Sequence, residues 1–271
     1  MTFLSAGKPQ VFAHRGGCAL GPENTIAAFD LGRAAGADGL ELDVHLSSDG
    51  VIVVCHDDLL DRTTDSNGPI QARTAADLAR VDAGHRYADG AGRFPFRGRG
   101  IGIPTLREVL ARYRDMLIII EMKEDSAELG RGVAAEVRAA GAVERVCAAG
   151  YGQRSLDAAR AALPEMATSA SRPEAQWALY RSIAGIPVRR AAYNAFQVPE
   201  TAGWLRIISP RFIRHVHDAG RRIQAWTIDD EADMQRLLRW GVDGLISNRP
   251  GVAVRVRDGF VESGFSRIDR T

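Results

Sequence analysis

Two carboxylates lie two residues apart in the stretch GLELDVHLSSDGVIVVCHD, which runs from Gly39 to Asp57. Side chains at positions i and i+2 of a strand project from the same face, so Glu41 and Asp43 are presented together. Such pairs are most often solvated strand edges, but apolar residues surround this one, and burying unpaired carboxylates is costly. Like charges this close repel each other unless a cation or a proton lies between them. The pair therefore predicts a metal site.

A histidine is expected to join these carboxylates. Ser47 to Gly50 is a turn signal between two β-branched runs, which predicts a hairpin. The return strand, over residues 51–56, would bring His56 back alongside the first strand and opposite Glu41. Two acids and an imidazole at one end of a hairpin are suited to proton-transfer chemistry.

Two other predicted strands also end in polar residues. The apolar run that begins at Gln10 ends in His14 and Arg15, and the buried run LIIIEMK ends in Glu121 and Lys123. Glu121 and Lys123 are again two residues apart and share a face. Because active-site residues of α/β barrels lie at the carboxyl ends of the strands, we expect these side chains near the hairpin.

The residue types indicate a particular chemistry. Three of the residues are carboxylates, Glu41, Asp43 and Glu121, and no cysteine lies among them. Such a set of oxygen ligands suits a hard divalent cation such as Mg²⁺ or Ca²⁺. Arg15 and Lys123 would place positive charge beside that cation, where a phosphate group could bind. His14 and His56 are able to exchange protons near neutral pH. Together these residues predict phosphoryl transfer to an alcohol or to water.

The order of elements predicts a (β/α)₈ barrel. Setting the hairpin's return strand aside, eight predicted parallel strands alternate with helices. They end near His14, Asp43, Lys123, Gly150, Ala170, Val198, Trp226 and Ser247. A doubly wound open sheet is the alternative, but His-Arg-Gly-Gly after the first strand is a poor match to its phosphate-binding glycine turn. Residues 1–271 are expected to form one domain, with a small glycine-rich insertion, about residues 59–104, after the histidine hairpin.

The composition is that of an ordinary globular protein, with 45% hydrophobic residues, 25% charged residues and a net charge of +1. Near-neutral charge gives no reason to expect a nucleic-acid partner. The three cysteines are scattered and lack metal-ligand spacing, which suits a reducing compartment. Since no stretch resembles a signal peptide or a membrane span, we expect a cytoplasmic protein without stable membrane insertion.

Seven short motifs follow one another along the chain. They are Ala13-His14-Arg15-Gly16-Gly17, Pro22-Glu23-Asn24-Thr25, Glu41-Leu42-Asp43-Val44, His56-Asp57, Glu121-Met122-Lys123, Trp226-Thr227 and Asp243-Gly244-Leu245-Ile246. In combination they resemble the motifs of the glycerophosphodiester phosphodiesterase family, over residues 11 to about 250. The resemblance implies a (β/α)₈ barrel that uses a divalent metal to hydrolyse glycerophosphodiesters to glycerol 3-phosphate and an alcohol.

The resemblance also implies roles for individual residues. It implies that Glu41, Asp43 and Glu121 are metal ligands. It implies that His14 and His56 are the acid–base pair, and that Arg15 and Lys123 bind the phosphate. Trp226 resembles the family's tryptophan, and its place at a strand end favours the wall of a substrate pocket. The small-molecule diester is the only partner that the resemblance implies.

Several alternatives stay open at this level. His14 as base and His56 as acid is the preferred assignment, and the reverse is the alternative. The attacking oxygen could belong to water or to the neighbouring glycerol hydroxyl. A phospholipase D-like enzyme acting on lysophospholipids or sphingomyelin is a second candidate, for which Phe94 and Phe96 offer apolar surface. A non-catalytic phosphodiester-binding protein is a third, although binding alone would not require both histidines. Headgroup and oligomeric state are not predicted.

Overall fold

A ring of eight parallel strands forms the centre of the computed structural model, which describes residues 2–5, 7–188 and 191–264. The described residues form eleven strands, of which β3, β8 and β9 lie outside the ring. In chain order they are β1 (Gln10–His14), β2 (Gly39–Leu46), β3 (Ile52–Val54), β4 (Leu117–Met122), β5 (Val146–Gly150), β6 (Ala167–Thr168), β7 (Ala195–Pro199), β8 (Thr201–Ala202), β9 (Leu205–Arg206), β10 (Arg222–Trp226) and β11 (Gly244–Ser247). Neighbours around the ring are β6, β5, β4, β2, β1, β11, β10 and β7. A parallel bridge between Ser169 and Ala195 closes it. The predicted (β/α)₈ barrel is confirmed.

Helices connect the barrel strands. In the described ranges they are α1 (Ile26–Ala34), α2 (Ala75–Leu78), α3 (Leu106–Arg112), α4 (Ala127–Ala139), α5 (Gln153–Ala162), α6 (Arg172–Ala184), α7 (Pro210–Asp218), α8 (Glu231–Trp240) and α9 (Pro250–Glu262). Side-chain caps begin several of them: Thr25 accepts from the backbone N–H of Ala28 at α1, and Thr105 forms a capping box with Glu108 at α3. None of these helices combines the length and apolarity that crossing a bilayer requires.

The last helix occupies a segment that the sequence left unplaced. Residues 255–262 of the polar tail lie within α9, which packs against β1 and β11 and buries Ala253 and Arg257. Arg257 is buried although it is charged, because its guanidinium pairs with Asp38, the residue before β2. Residues 265–271, the end of the predicted domain, lie outside the described residues.

Strand alternation directs the site residues into the barrel. In β2, Leu40, Leu42 and Val44 face the surrounding helices as part of one large apolar cluster. The residues between them, Glu41 and Asp43, therefore face inward. In β4 the same rule places Ile119 in the barrel interior and Glu121 above it on the same face. Polar residues at the carboxyl ends of inward-facing rows thus share one end of the barrel.

The hairpin forms, but its register differs from the prediction. β3 pairs with β2 so that Val54 lies opposite Val44, and the backbone N–H of Cys55 donates to the carbonyl of Asp43. The return strand is therefore shorter than residues 51–56, and His56 is not opposite Glu41. The position beside Glu41 in the sheet belongs instead to His14, on β1. Turn signals predict a hairpin without specifying its register to one residue.

The insertion has a small core of its own beneath the hairpin. A 3₁₀ turn (Ile70–Ala72) and α2 surround a buried apolar cluster. Its members are Val53, Cys55, Leu60, Ile70, Leu78, Val81, Ala83 and Ile103. Helix α2 is a single turn, capped by Thr74, whose side chain accepts from the backbone N–H of Asp77. The Tyr87 hydroxyl donates to the carbonyl of Ala19, which ties the glycine-rich segment to the loop after β1.

Candidate active site

The loop after β1 contacts the carboxylates of β2 through backbone and side chain. His14 Nε2 lies 3.9 Å from Glu41 Oε2. Arg15 has a left-handed backbone (φ 52°), its N–H donates to the same oxygen (3.0 Å), and its Nε lies 3.4 Å from Asp43 Oδ2. Asn24, the other non-glycine residue with positive φ in the described ranges, donates to Asp43 Oδ2 (2.9 Å). Backbone strain of this kind concentrates at functional sites.

Three carboxylates converge next to this loop. Glu41, Asp43 and Glu121 each place an oxygen within 4.8 Å of the others, and Glu41 and Asp43 are almost completely buried. Burial, followed by the charges of Asp43 and Glu121, holds the pKa of Glu41 well above its ordinary range. Burial and Asp43 also raise the pKa of Glu121. A divalent cation among them would offset this repulsion, so the donor set fits a hard metal ion.

Lys123 and Arg15 bring positive charge to the same place. Lys123 Nζ lies 2.9 Å from Glu121 Oε1 and 3.4 Å from Asp43 Oδ1. Burial lowers the pKa of Lys123, but the two carboxylates outweigh burial and raise it, so the ammonium stays charged. Arg15 Nη1 donates to Glu23 Oε1 (3.0 Å). Both cations therefore border the carboxylate cluster, where they could contact an anionic group.

His56 reaches the site from the loop after β3. Its Nδ1 lies 2.6 Å from Asp57 Oδ1, and Arg62 Nε donates to Asp57 Oδ2 (2.5 Å). Arg62 also donates to both carboxylate oxygens of Glu23. Burial raises the pKa of Asp57, but the hydrogen bonds from Arg62 and His56 outweigh it and lower the pKa to about 2. Because ionised Asp57 accepts from Nδ1, Nε2 is the nitrogen of His56 left for proton exchange.

A second histidine fixes the backbone of this loop. His45 is fully buried; its Nε2 lies 3.2 Å from the carbonyl oxygen of His56, and its Nδ1 lies 2.9 Å from Glu124 Oε1. Gln71 donates to the same oxygen of Glu124 (2.9 Å). Strand β2, the insertion and the segment after β4 therefore meet at His45, which holds His56 in place.

The His14 ring is oriented by the segment after β11, the neighbour of β1 on the side away from β2. Its Nδ1 lies 2.6 Å from Asn248 Oδ1, which also accepts from Cys18 Sγ. Asn248 Nδ2 donates to Asp229 Oδ2 (2.7 Å), so the amide oxygen faces His14 and must accept from Nδ1–H. Nε2 of His14 is then left with its lone pair. Burial, only partly offset by the Asn248 bond, lowers the pKa of His14.

One pocket gathers all eight residues predicted from the sequence. They are His14, Arg15, Glu41, Asp43, His56, Glu121, Lys123 and Trp226. Apolar and aromatic side chains complete its lining, among them Ile119, Ala149, Tyr151 and Ile246. The Tyr151 ring stands edge-on to Trp226, with centroids 6.4 Å apart. The placement of these residues is thus observed, whereas their roles stay a prediction.

Sequence reasoning missed the residues that orient the histidines and carboxylates. Asn24 entered it only as part of the motif Pro22-Glu23-Asn24-Thr25, and Asn248 and Asp229 did not enter at all. A positive φ and contacts between residues distant in the chain leave little local signal. The only available hint is positional, since Asp229 and Asn248 each follow a predicted barrel strand, where functional residues concentrate.

Comparison with known proteins assigns the family. The profile described as the glycerophosphoryl diester phosphodiesterase family matches residues 14–252. The chain belongs to this family. A glycerophosphodiester phosphodiesterase from Caldanaerobacter subterraneus is 32% identical to it over 259 residues, covering 92% of this chain and 98% of the relative. As a family member, the protein is an enzyme of the phosphoric diester hydrolase class.

Solved structures of other phosphodiesterases share the fold. An Oleispira antarctica phosphodiesterase, solved in complex with the product sn-glycerol 3-phosphate, is 26% identical with a TM-score of 0.74, covering 93% of this phosphodiesterase and 97% of that chain. The glycerophosphoryl diester phosphodiesterase domain of a Mycobacterium tuberculosis protein has a TM-score of 0.80 at 23% identity, covering 93% and 100% of the two chains. The latter similarity shows the fold alone.

Proposed function

We propose that the protein hydrolyses glycerophosphodiesters to sn-glycerol 3-phosphate and an alcohol, with Mg²⁺ or Ca²⁺ held by Glu41, Asp43 and Glu121. The observation that carries this proposal is the convergence of three carboxylates and two histidines on one pocket. Family membership supports the reaction class. The product seen in the Oleispira antarctica relative supports the glycerol 3-phosphate half of the substrate.

The protein's own residues would bind and orient the diester. A bound cation would neutralise phosphate charge and help orient the glycerol hydroxyls. Arg15 and Lys123 are positioned to hold the phosphate oxygens, because both lie within 3.4 Å of Asp43 at the edge of the carboxylate cluster. Trp226 would form the pocket wall together with Tyr151.

The two histidines would move the protons. His14 donates through Nδ1 to Asn248, so its Nε2 lone pair can accept the proton of the attacking oxygen. As the new bond to phosphorus forms, the bond from phosphorus to the alcohol oxygen breaks, and His56 Nε2 would protonate that leaving oxygen. With water as the net co-substrate, the products are glycerol 3-phosphate and the free alcohol. Asp57 supports this assignment by accepting from Nδ1 of His56, which leaves Nε2 for the leaving oxygen.

The lipid-directed alternative is weaker. The two phenylalanines that the sequence offered as lipid-binding surface leave little of it: Tyr87 packs edge-on against Phe96, and Phe94, 44% exposed, has Arg97 3.7 Å over its ring. Retention of both histidines in the pocket also disfavours a protein that only binds phosphodiesters.

The decisive test is release of the headgroup alcohol from a panel of glycerophosphodiesters and lysophospholipids; its co-product is glycerol 3-phosphate from the former and an acylated glycerol phosphate from the latter. The panel is run with EDTA and then with added Mg²⁺, Ca²⁺ or Mn²⁺. We expect metal-dependent release from water-soluble diesters, and loss of turnover with retained metal binding in His56→Ala. Activity on lysophospholipids alone would replace the proposal with the phospholipase reading. Turnover in EDTA, or near-normal turnover of His56→Ala, would contradict the mechanism.

A further inference from the structure

Helix α6 is apolar on both of its faces. Its inner residues, Ala178 and Leu179, are buried in the apolar cluster between helices and barrel. On the outer side, Trp177 is 67% exposed, Tyr180 58% and Ile183 57%. Large apolar side chains exposed next to one another often mark an interaction site, so this outer face calls for a partner.

The outer face has the spacing of a helix–helix contact. Pro173, Trp177, Tyr180 and Ala184 are all exposed and follow one another at intervals of four, three and four residues. Intervals of four and three place side chains on one stripe, the arrangement by which one helix packs along another. Within this stripe the two aromatic residues are central, and small or compact residues lie at the ends.

We propose that two copies of the chain associate through this stripe, with their α6 helices antiparallel and the twofold axis crossing the exposed face level with the midpoint between positions 178 and 179. A twofold axis there places Trp177 against Tyr180 of the partner subunit, and Pro173 against Ala184 of the partner subunit, with each contact made twice. Large residues then meet at the centre of the interface and compact ones at its ends. The stripe is thus complementary to itself in shape.

The charges beside the stripe do not oppose its pairing with a second copy. Under the same symmetry the exposed Arg181, which donates one hydrogen bond to the carbonyl of Pro187, lies opposite Gln176 of the partner subunit. Glu174, the only acidic residue of α6, is held by Arg160 (2.9 Å). Within α6, the symmetry brings no pair of like charges together, so pairing of two copies meets no electrostatic penalty along this helix.

The size of the patch is compatible with a dimer interface. Stable interfaces bury about 800 Å² per partner, and buried aromatic side chains contribute about 150–250 Å² each. Trp177 and Tyr180 would form the apolar centre, and Ile183 beside the stripe and Ile186 just beyond α6, 57% and 51% exposed, would extend the apolar surface. Arg211, on neighbouring α7, donates to the carbonyl of Ile183 and would lie at the polar rim.

Sedimentation velocity of the full chain, from about 1 to 100 µM, tests this proposal. We expect a monomer–dimer equilibrium in the wild type. Tyr180→Glu should raise the dimer Kd about thirtyfold or more, the loss typical of a central aromatic residue. Val261→Glu, which places the same charge at an exposed apolar residue of α9, is the matched control and should leave Kd unchanged. Circular dichroism and unchanged turnover confirm folding of each variant.

A charge-exchange series tests the antiparallel register. Gln176→Glu faces Arg181 of the partner subunit and should lower Kd about threefold to tenfold, whereas Gln176→Arg should raise it. The double variant Gln176→Arg with Arg181→Glu should restore dimerisation. The proposal would be overturned if the wild type stayed monomeric at every concentration tested, or if Tyr180→Glu left the dimer Kd unchanged. Binding to anionic vesicles that Tyr180→Glu abolishes, without a dimer, would assign the stripe to lipid and overturn it equally.

Discussion

Asp43 is the most heavily contacted carboxylate of the site. Asn24 donates to it, and Arg15 Nε and Lys123 Nζ each lie 3.4 Å from one of its oxygens. Glu41 is fixed by the backbone N–H of Arg15. Glu121 has fewer restraints and a partly exposed side chain, so its replacement disturbs the rest of the site least.

Glu121→Gln should weaken binding of Mg²⁺ or Ca²⁺ by about a hundredfold or more, because it removes one of the three charged ligands. Calorimetric titration with the metal alone measures this without relying on turnover. Glu124→Gln is the matched control: Glu124 lies three residues away and bonds to His45 and Gln71 rather than to the metal site. Equal metal affinity in both variants would contradict the ligand assignment.

Asn248→Ala should lower kcat about tenfold to a hundredfold, because His14 loses the acceptor that orients its ring. This loss is a part of the rate enhancement that acid–base catalysis supplies. The pH–rate profile should also change, whereas a smaller folded fraction alone would lower the rate without changing the profile. Ser247→Ala serves as control, since Ser247 contacts Asp229 but not His14. An unaltered kcat and profile in Asn248→Ala would remove Asn248 from the mechanism.

At the scale of elements, two aspartates anchor the amino-terminal ends of the strands. Both occur as Asp-Gly-Leu at the start of a strand, Asp38 before β2 and Asp243 before β11. Each accepts a backbone N–H from an adjacent strand: Asp38 from Val11 (2.8 Å) and Asp243 from Ile223 (2.8 Å). They lie at the end of the barrel away from the site, where such residues serve stability.

Asp243→Asn should destabilise the fold by about 1–3 kcal/mol at neutral pH. Burial raises the pKa of Asp243, but the His217 hydrogen bond and charge, with Arg222, outweigh it and lower the pKa. A carboxylate with a lowered pKa contributes stability that is complete above its unfolded pKa, about 3.9, and is lost as pH falls through the folded pKa. The difference from wild type should therefore shrink below about pH 3.5.

Urea unfolding at neutral and acid pH measures this difference. Asp115→Asn is the control, because Asp115 forms an exposed ion pair with Arg33 and its loss should cost no more than about 0.5 kcal/mol. A penalty for Asp243→Asn that stays constant with pH would show that its charge does not contribute.

At the scale of the whole molecule, the barrel joins its parts into one unit. Each barrel strand has two neighbours in the ring, and apolar clusters lie both inside it and between strands and helices. The insertion cluster includes Val53 of the hairpin strand, so it shares an element with the barrel. The insertion is therefore packed onto the barrel rather than separate from it.

We accordingly predict that the chain unfolds as a single domain. Calorimetry should show one transition whose calorimetric and van't Hoff enthalpies agree, because opening any strand exposes clusters on both of its sides. Metal should raise Tm without splitting the transition, since the ligands come from neighbouring strands β2 and β4. A separate low-temperature transition that metal does not shift would assign the insertion, residues 59–104, to an independent unit.

The sequence by itself determined the elements and the residue types of the site. Alternation of strand and helix signals predicts the barrel, because those signals are local and every strand of a parallel barrel is apolar. Glu41, Asp43, Glu121 and Lys123 could be placed because a strand's period of two directs them to one face and the carboxyl ends of the strands collect them.

Only the tertiary structure decided how these residues meet. It put His14, not His56, beside Glu41, since the hairpin register depends on packing and not on the turn signal alone. It also joined Asn248 to His14 across 234 positions of the chain. Contacts between distant segments arise when the barrel closes, and no local pattern of residues encodes them.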